Sequence, residues 1–223
     1  NARTFRDAIP REAWQEVNAL HHYTRDHVQQ GLTKRGRFDF LAGVIRRSQT
    51  LAGLLSGCMN HDDAYCFVHL GRHLERADMT TRILDVRSAS LVPADVSELR
   101  PFDNIQWMSV LKSLTGYQMY RLEMQTRVRR TDVLRFLLQS RHFPRSVLRC
   151  LVELERRLAF LGDNREGPLR VVARLQRTLD ETDAAELSRE RLGDFIDGQQ
   201  IGLAEIHRAL DEAFFRRRRP AVA

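Results

Sequence analysis

The stretch Leu70 to Val86, LGRHLERADMTTRILDV, sets Glu75, Asp78, Arg82 and Asp85 beside an apolar stripe. On a helix turning 100° per residue, Leu70, Leu74, Ala77, Thr81 and Leu84 cluster within roughly 40° of one direction. The four charges follow at about 60° to 140° from it. Charged groups at the margin of a buried face need a partner, whether a neighbouring helix, a ligand or another protein. Intrahelical pairs between Arg72 and Glu75, Asp78 and Arg82, and Arg82 and Asp85 supply one answer, each worth about 0.3 to 0.5 kcal/mol. The other answer is an interhelical polar site in which Glu75 and Asp78 meet arginines from elsewhere. Arg3 and Arg6 near the start, and Arg46 and Arg47 further on, are the candidates. A carboxylate held in this way can act as a general base, orient an amine or lock a helical bundle.

Other constellations point less clearly to chemistry. His69 and His73 are four apart, a spacing that lets two imidazoles share a metal, but they fall at about 260° and 300° on the same wheel, away from the acidic ladder. The sequence around Glu205 and His207 is one residue too short for the Glu-x-x-His register of di-iron bundles, so no metal is expected. Cys58, Cys66 and Cys150 form neither an even disulfide framework nor a C-x-x-C pair, and read as small core residues. There is no G-x-S-x-G elbow, and GDNREG at Gly162 to Gly167 lacks the lysine and hydroxyl of a P-loop.

The formal charge of +7 comes almost wholly from arginine, with Lys34 and Lys112 the two lysines. Arginine suits carboxylate or phosphate partners because its planar fork binds them at two points. The RRRR run at Arg216 to Arg219 and the pI of about 10.0 keep a nucleic-acid-binding module open as an alternative. Against it, basic and acidic residues interleave on most helices and no helix-turn-helix or aromatic platform stands out. Apolar runs are too short to span a bilayer and no signal peptide is evident, which predicts a cytoplasmic protein.

Nearly every segment carries a 3.6-residue period and none alternates as a strand does. The expected fold is all-α, an antiparallel bundle of about seven to eight helices in a single domain over 1–223. Helices are predicted from Pro10 to Gly31, Phe38 to Leu55, about Asn60 to Ser90, Asn104 to Glu123, Arg130 to Gln139, Pro144 to Leu161, Leu169 to Leu187 and Asp194 to Phe215. The loop at 92–103 is the candidate hinge. The opening NARTFRDAI reads as helix interior without a cap, which predicts a segment before it.

Three blocks carry a resemblance: NARTFRDAIPREAWQEVN at Asn1 to Asn18, LLSGCMNHDDAYCFVHLGRHLERADMTTRILDV at Leu54 to Val86, and RFLLQSRHFPRSVLRCL at Arg135 to Leu151. In this order they resemble the bacterial alpha-E domain family, a helical family of unknown function, of which the chain looks like the C-terminal two thirds. An aromatic residue is usual in that family where His73 stands. The resemblance implies a partner, a circularly permuted ATP-grasp ligase encoded beside or fused ahead, often with a transglutaminase-like peptidase nearby, and a theme of ATP-dependent amide-bond formation. ATP and magnesium would belong to that ligase, with no cofactor on the helical domain. Glu75 in LERAD is the position onto which the family's glutamate maps. The expected function is therefore that of an accessory domain that docks to the ligase and presents substrate. Arg72, Glu75, Arg76, Asp78 and Arg82 form its patch, with Asn1, Arg3 and Arg6 facing them. The alternative is an independent hydrolase or transferase using Glu75 as general base.

Overall fold

The computed structural model describes residues 4–89, 100–187 and 189–216, with nine α-helices and no strand among them. They are α1 (Arg11–Leu32), α2 (Arg37–Cys58), α3 (Asp63–Ala89), α4 (Arg100–Ser113), α5 (Tyr117–Met124), α6 (Arg130–Gln139), α7 (Val147–Phe160), α8 (Glu166–Glu181) and α9 (Arg189–Leu210). Two compact units result, Asn1–Tyr65 and Cys66–Ala223, the boundary falling in the first turn of α3. Residues 90–99, where most of the expected hinge at 92–103 falls, lie outside the described residues, as do 1–3 and 217–223.

The first unit is an α1–α2 hairpin. Its helices approach closely where Gly43 meets Tyr23, since a Cβ at Gly43 would stand 2.1 Å from the Tyr23 hydroxyl. Tyr23 stacks on His27 and Phe40 and receives the Arg47 guanidinium 4.2 Å from its ring centre. Asp62 caps α3 by accepting from the Tyr65 amide at 3.1 Å.

The second unit holds an extensive core around Trp107, Tyr120, Phe136, Leu151 and Leu154, all fully buried. The predicted helix 104–123 is broken into α4 and α5 at Leu114 to Gly116, where Thr115 takes a left-handed backbone (φ 53°). Apolar residues keep helical spacing across this break because both helices bury the same face, so periodicity alone runs them together. That split accounts for nine helices where seven to eight were expected.

The turn between α6 and α7 is built on serine. Ser140 Oγ accepts from the His142 and Phe143 amides and donates to Glu123 at 2.9 Å, while Ser146 caps α7 by accepting from the Arg149 amide at 3.1 Å. Gln139 then fastens α6 to the end of α8 by donating to the Leu179 and Thr182 carbonyls at 2.7 and 2.6 Å. The next helix, α9, packs on α8 at Gly202, where a Cβ would come within 2.6 Å of Leu175.

Candidate functional site

The core-facing side of α3 is turned from the expected stripe toward its histidines. Leu70, Ala77 and Leu84 are buried, but so are His69, His73, Thr80 and Thr81, whereas Leu74 is half-buried. The acidic ladder consequently stands further from the core than the wheel centred on Leu70 places it. Asp78 and Arg82 form an intrahelical ion pair at 2.6 Å, and that bond raises the Arg82 pKa, with the Asp78 charge adding to it. Glu75 has no ion-pair or hydrogen-bond partner among the described residues and is exposed.

These residues face α9 across an open cleft of about 490 Å³. Its α3 wall is Gly71, Leu74, Glu75, Asp78 and Arg82, and its α9 wall is Gln200, Leu203, Ala204 and His207. Each wall repeats at i, i+3, i+4 and i+7, the spacing that sets side chains in one row along a helix. Leu74 and Leu203 supply an apolar bed, and the Gln200 amide nitrogen, Nε2, is buried behind it with no hydrogen-bond partner among the described residues. With Asp78 paired to Arg82, the lining keeps one negative charge in excess, on Glu75. The arrangement can therefore attract a cation.

The opposite flank of α3 is a different environment. Arg76, next to Glu75 in sequence, is half-buried; burial lowers its pKa, and the charges of Arg72 and Arg145 push in the same direction. The Arg145 backbone is anchored there by Thr80, whose hydroxyl donates to its carbonyl at 2.8 Å. Burial, followed by the charge of Arg76, lowers the His73 pKa to about 4, so its imidazole is neutral at physiological pH. His69 and His73 stand with ring centres 6.0 Å apart, and among the described residues no group of three or more His, Cys, Asp or Glu could hold a metal ion. Burial pushes the Cys150 thiol up to about 12, which makes it an inert core group.

The expected patch is thus divided. Glu75, Asp78 and Arg82 share the α3–α9 cleft, while Arg72 and Arg76 lie on the flank facing Arg145. Asn1 and Arg3 lie outside the described residues. Arg6, in the first unit, stands over the Trp14 ring at 5.8 Å. Gln200 and His207 were not anticipated; the signal that could have found them is their row with Leu203 and Ala204, which mixes polar and apolar groups at helical spacing. A second polar assembly also escaped notice: Arg87 pairs with Asp103 and lies 5.1 Å from the Trp107 ring centre, and Trp107 donates to Asp103 at 3.1 Å. With Arg87 buried and Trp107 in the core, this cluster is suited to locking α3 to α4.

A larger hollow of about 890 Å³ lies at the Gly162 to Gly167 loop. Two of its arginines are already engaged, Arg165 with the Ala159 and Leu161 carbonyls and Arg216 with Asp211. The α3–α9 cleft is the better candidate because its Glu75 carboxylate is unspent among the described residues. Compared with known families, residues 1–215 match the model of a predicted alpha-helical domain with a conserved ER motif. Comparison with curated proteins and with solved structures gives no match. Glu-Arg occurs three times in the sequence, at 75–76, 155–156 and 190–191, and the first of these borders the cleft.

Proposed function

Since the chain belongs to the Alpha-E family, we propose that it is an accessory domain of an ATP-dependent amide ligase of the ATP-grasp type, docking to that enzyme and presenting substrate from the α3–α9 cleft. The observation that carries this reading is the state of Glu75: exposed, without an ion-pair or hydrogen-bond partner among the described residues, and placed on the wall of a cleft. A general base is ordinarily tuned by desolvation or by a close charged neighbour. An exposed carboxylate is better suited to capturing a ligand, which favours the accessory role over an independent hydrolase or transferase. Nucleotide and magnesium belong to the ligase, which works in the cytoplasm, with a transglutaminase-like peptidase as a further partner.

The test is calorimetric binding of the 223-residue chain to the ATP-grasp protein encoded beside or ahead of it, followed by ATP turnover with the wild-type chain and with Glu75→Gln. Binding together with a charge-dependent change in turnover is the expected outcome. Absence of binding with unchanged turnover overturns the accessory role.

A further inference from the structure

We infer that the flank of α3 facing the start of α7 binds the oxyanion of inorganic phosphate or a phosphate monoester, held by the guanidinium groups of Arg72, Arg76 and Arg145. The site lies apart from the α3–α9 cleft and does not depend on how that cleft works. Arg72, Arg76 and Thr80 follow one another at four-residue steps, and so run down one stripe of α3. Thr80 ends the stripe by donating to the Arg145 carbonyl at 2.8 Å, which brings the third arginine to the same flank. All three arginines are half-buried, and none of their guanidinium groups has an ion-pair or hydrogen-bond partner among the described residues. More exposed arginines are better served: Arg141 and Arg174, which water alone would satisfy, hold Asp180 and Glu205.

Like charges partly withdrawn from water repel one another more strongly than at an open surface. Burial lowers the Arg76 pKa, and the charges of Arg72 and Arg145 lower it further. Glu153, the buried carboxylate of α7, is already bonded to Arg149 and Arg156 at 2.5 and 3.2 Å. Arg145 also directly precedes Ser146, the cap of α7, whose first turn carries no acidic residue, so the positive end of that helix adds to the field. The cluster is open to a ligand, since none of its guanidinium nitrogens is sealed from solvent. A guanidinium only donates, so its partner must bring acceptors and negative charge. A carboxylate brings two oxygens and one charge. A phosphate monoester brings three free oxygens and a charge of about −1.5 to −2 at pH 7, a closer match to three planar forks.

The probes are inorganic phosphate, phenyl phosphate, dimethyl phosphate and acetate, titrated at constant ionic strength into the isotopically labelled 223-residue chain and followed by backbone amide and arginine Nε–H shifts. Inorganic phosphate and phenyl phosphate are expected to bind with a Kd of order millimolar and to shift residues of the α3 stripe and the start of α7. Acetate should bind at least tenfold more weakly, as should dimethyl phosphate, which carries the single charge of a nucleic-acid diester. Arg76→Gln should weaken phosphate binding at least tenfold and Arg145→Gln at least fivefold, whereas Arg141→Gln, which removes a paired arginine, leaves it unchanged. Without phosphate, Arg76→Gln should melt no lower than wild type because it relieves repulsion; Arg72→Gln repeats the test should that variant unfold. Tighter binding of phenyl phosphate than of inorganic phosphate supports the site and assigns it to esters, and the reverse order supports it and assigns it to the free ion. The absence of any shift at the stripe with tens of millimolar phosphate overturns the inference. So does equal binding of phosphate, diester and acetate, or phosphate binding that survives loss of both Arg76 and Arg145.

Discussion

Two of the chain's Glu-Arg steps sit in opposite circumstances. On α7, Glu155 accepts from Gln176 of α8 at 3.0 Å, and Arg156 pairs at 3.2 Å with Glu153, a buried carboxylate that also binds Arg149. On α3, Glu75 has no partner among the described residues, and the charges that bear most on Arg76 are those of other arginines. The same dipeptide is consumed by packing in one helix and left available in the other. Sequence identity therefore says little about a charged pair's role until its neighbours are known; what distinguishes the α3 step is unspent bonding capacity.

The contrast can be broken or sharpened by stability measurements. Leu154, fully buried on α7, should cost about 2–5 kcal/mol in urea unfolding when changed to Ala. Half-buried Leu74→Ala should cost less than about 1.5 kcal/mol, because its side chain already borders a void. Equal losses would show that the cleft wall is as closely packed as the core.

Acid should next single out His73. Its pKa falls from 6.5 unfolded to about 4 folded, so the unfolded chain binds more protons between those values. The contribution to stability is complete above pH 6.5 and is lost as pH drops toward 4, by no more than ~3 kcal/mol. Replacing His73 with Phe should flatten that portion of the profile, read from urea midpoints at pH 7, 5.5 and 4.5; an unchanged slope assigns the acid sensitivity elsewhere.

Smaller effects compare the two carboxylates directly. Glu153→Gln should destabilise by ~1–2 kcal/mol, since two arginines lose an ionic acceptor but are themselves exposed enough to rehydrate. Glu75→Gln should stay within ~0.5 kcal/mol of wild type in thermal unfolding. A Glu75→Gln loss as large as that of Glu153→Gln would make Glu75 structural and erase the difference between the two steps.

Much of the fold was legible in periodicity. The first three helices and α6 fall close to their predicted limits because a helical period in each is bounded by clear stop signals. Boundaries slipped where the signal is not periodic: at Thr115, whose left-handed backbone breaks the helix just ahead of Gly116, and at Ser146, whose capping hydroxyl starts α7 later than Pro144 suggested. Half of the candidate site was legible as well. Glu75, Asp78 and Arg82 fall together because they share one helix, but Gln200 and His207 come from a helix more than a hundred residues further on, and spacing carries no record of which helices meet. The grouping of Arg72 and Arg76 with the ladder ignored that one residue turns a helix by about 100°.

Gly202 gives the cleft a property that none of its lining residues controls. On the helical wheel it lies roughly 150° from the row Gln200, Leu203, Ala204 and His207, with its α-carbon pressed toward Leu175 of α8. The missing side chain is a gauge. It lets α9 lean away from α3, and the width of the opening follows from that lean. A methyl group at 202 would act as a shim between α8 and α9, driving the far wall inward and narrowing the aperture without altering any group that faces it.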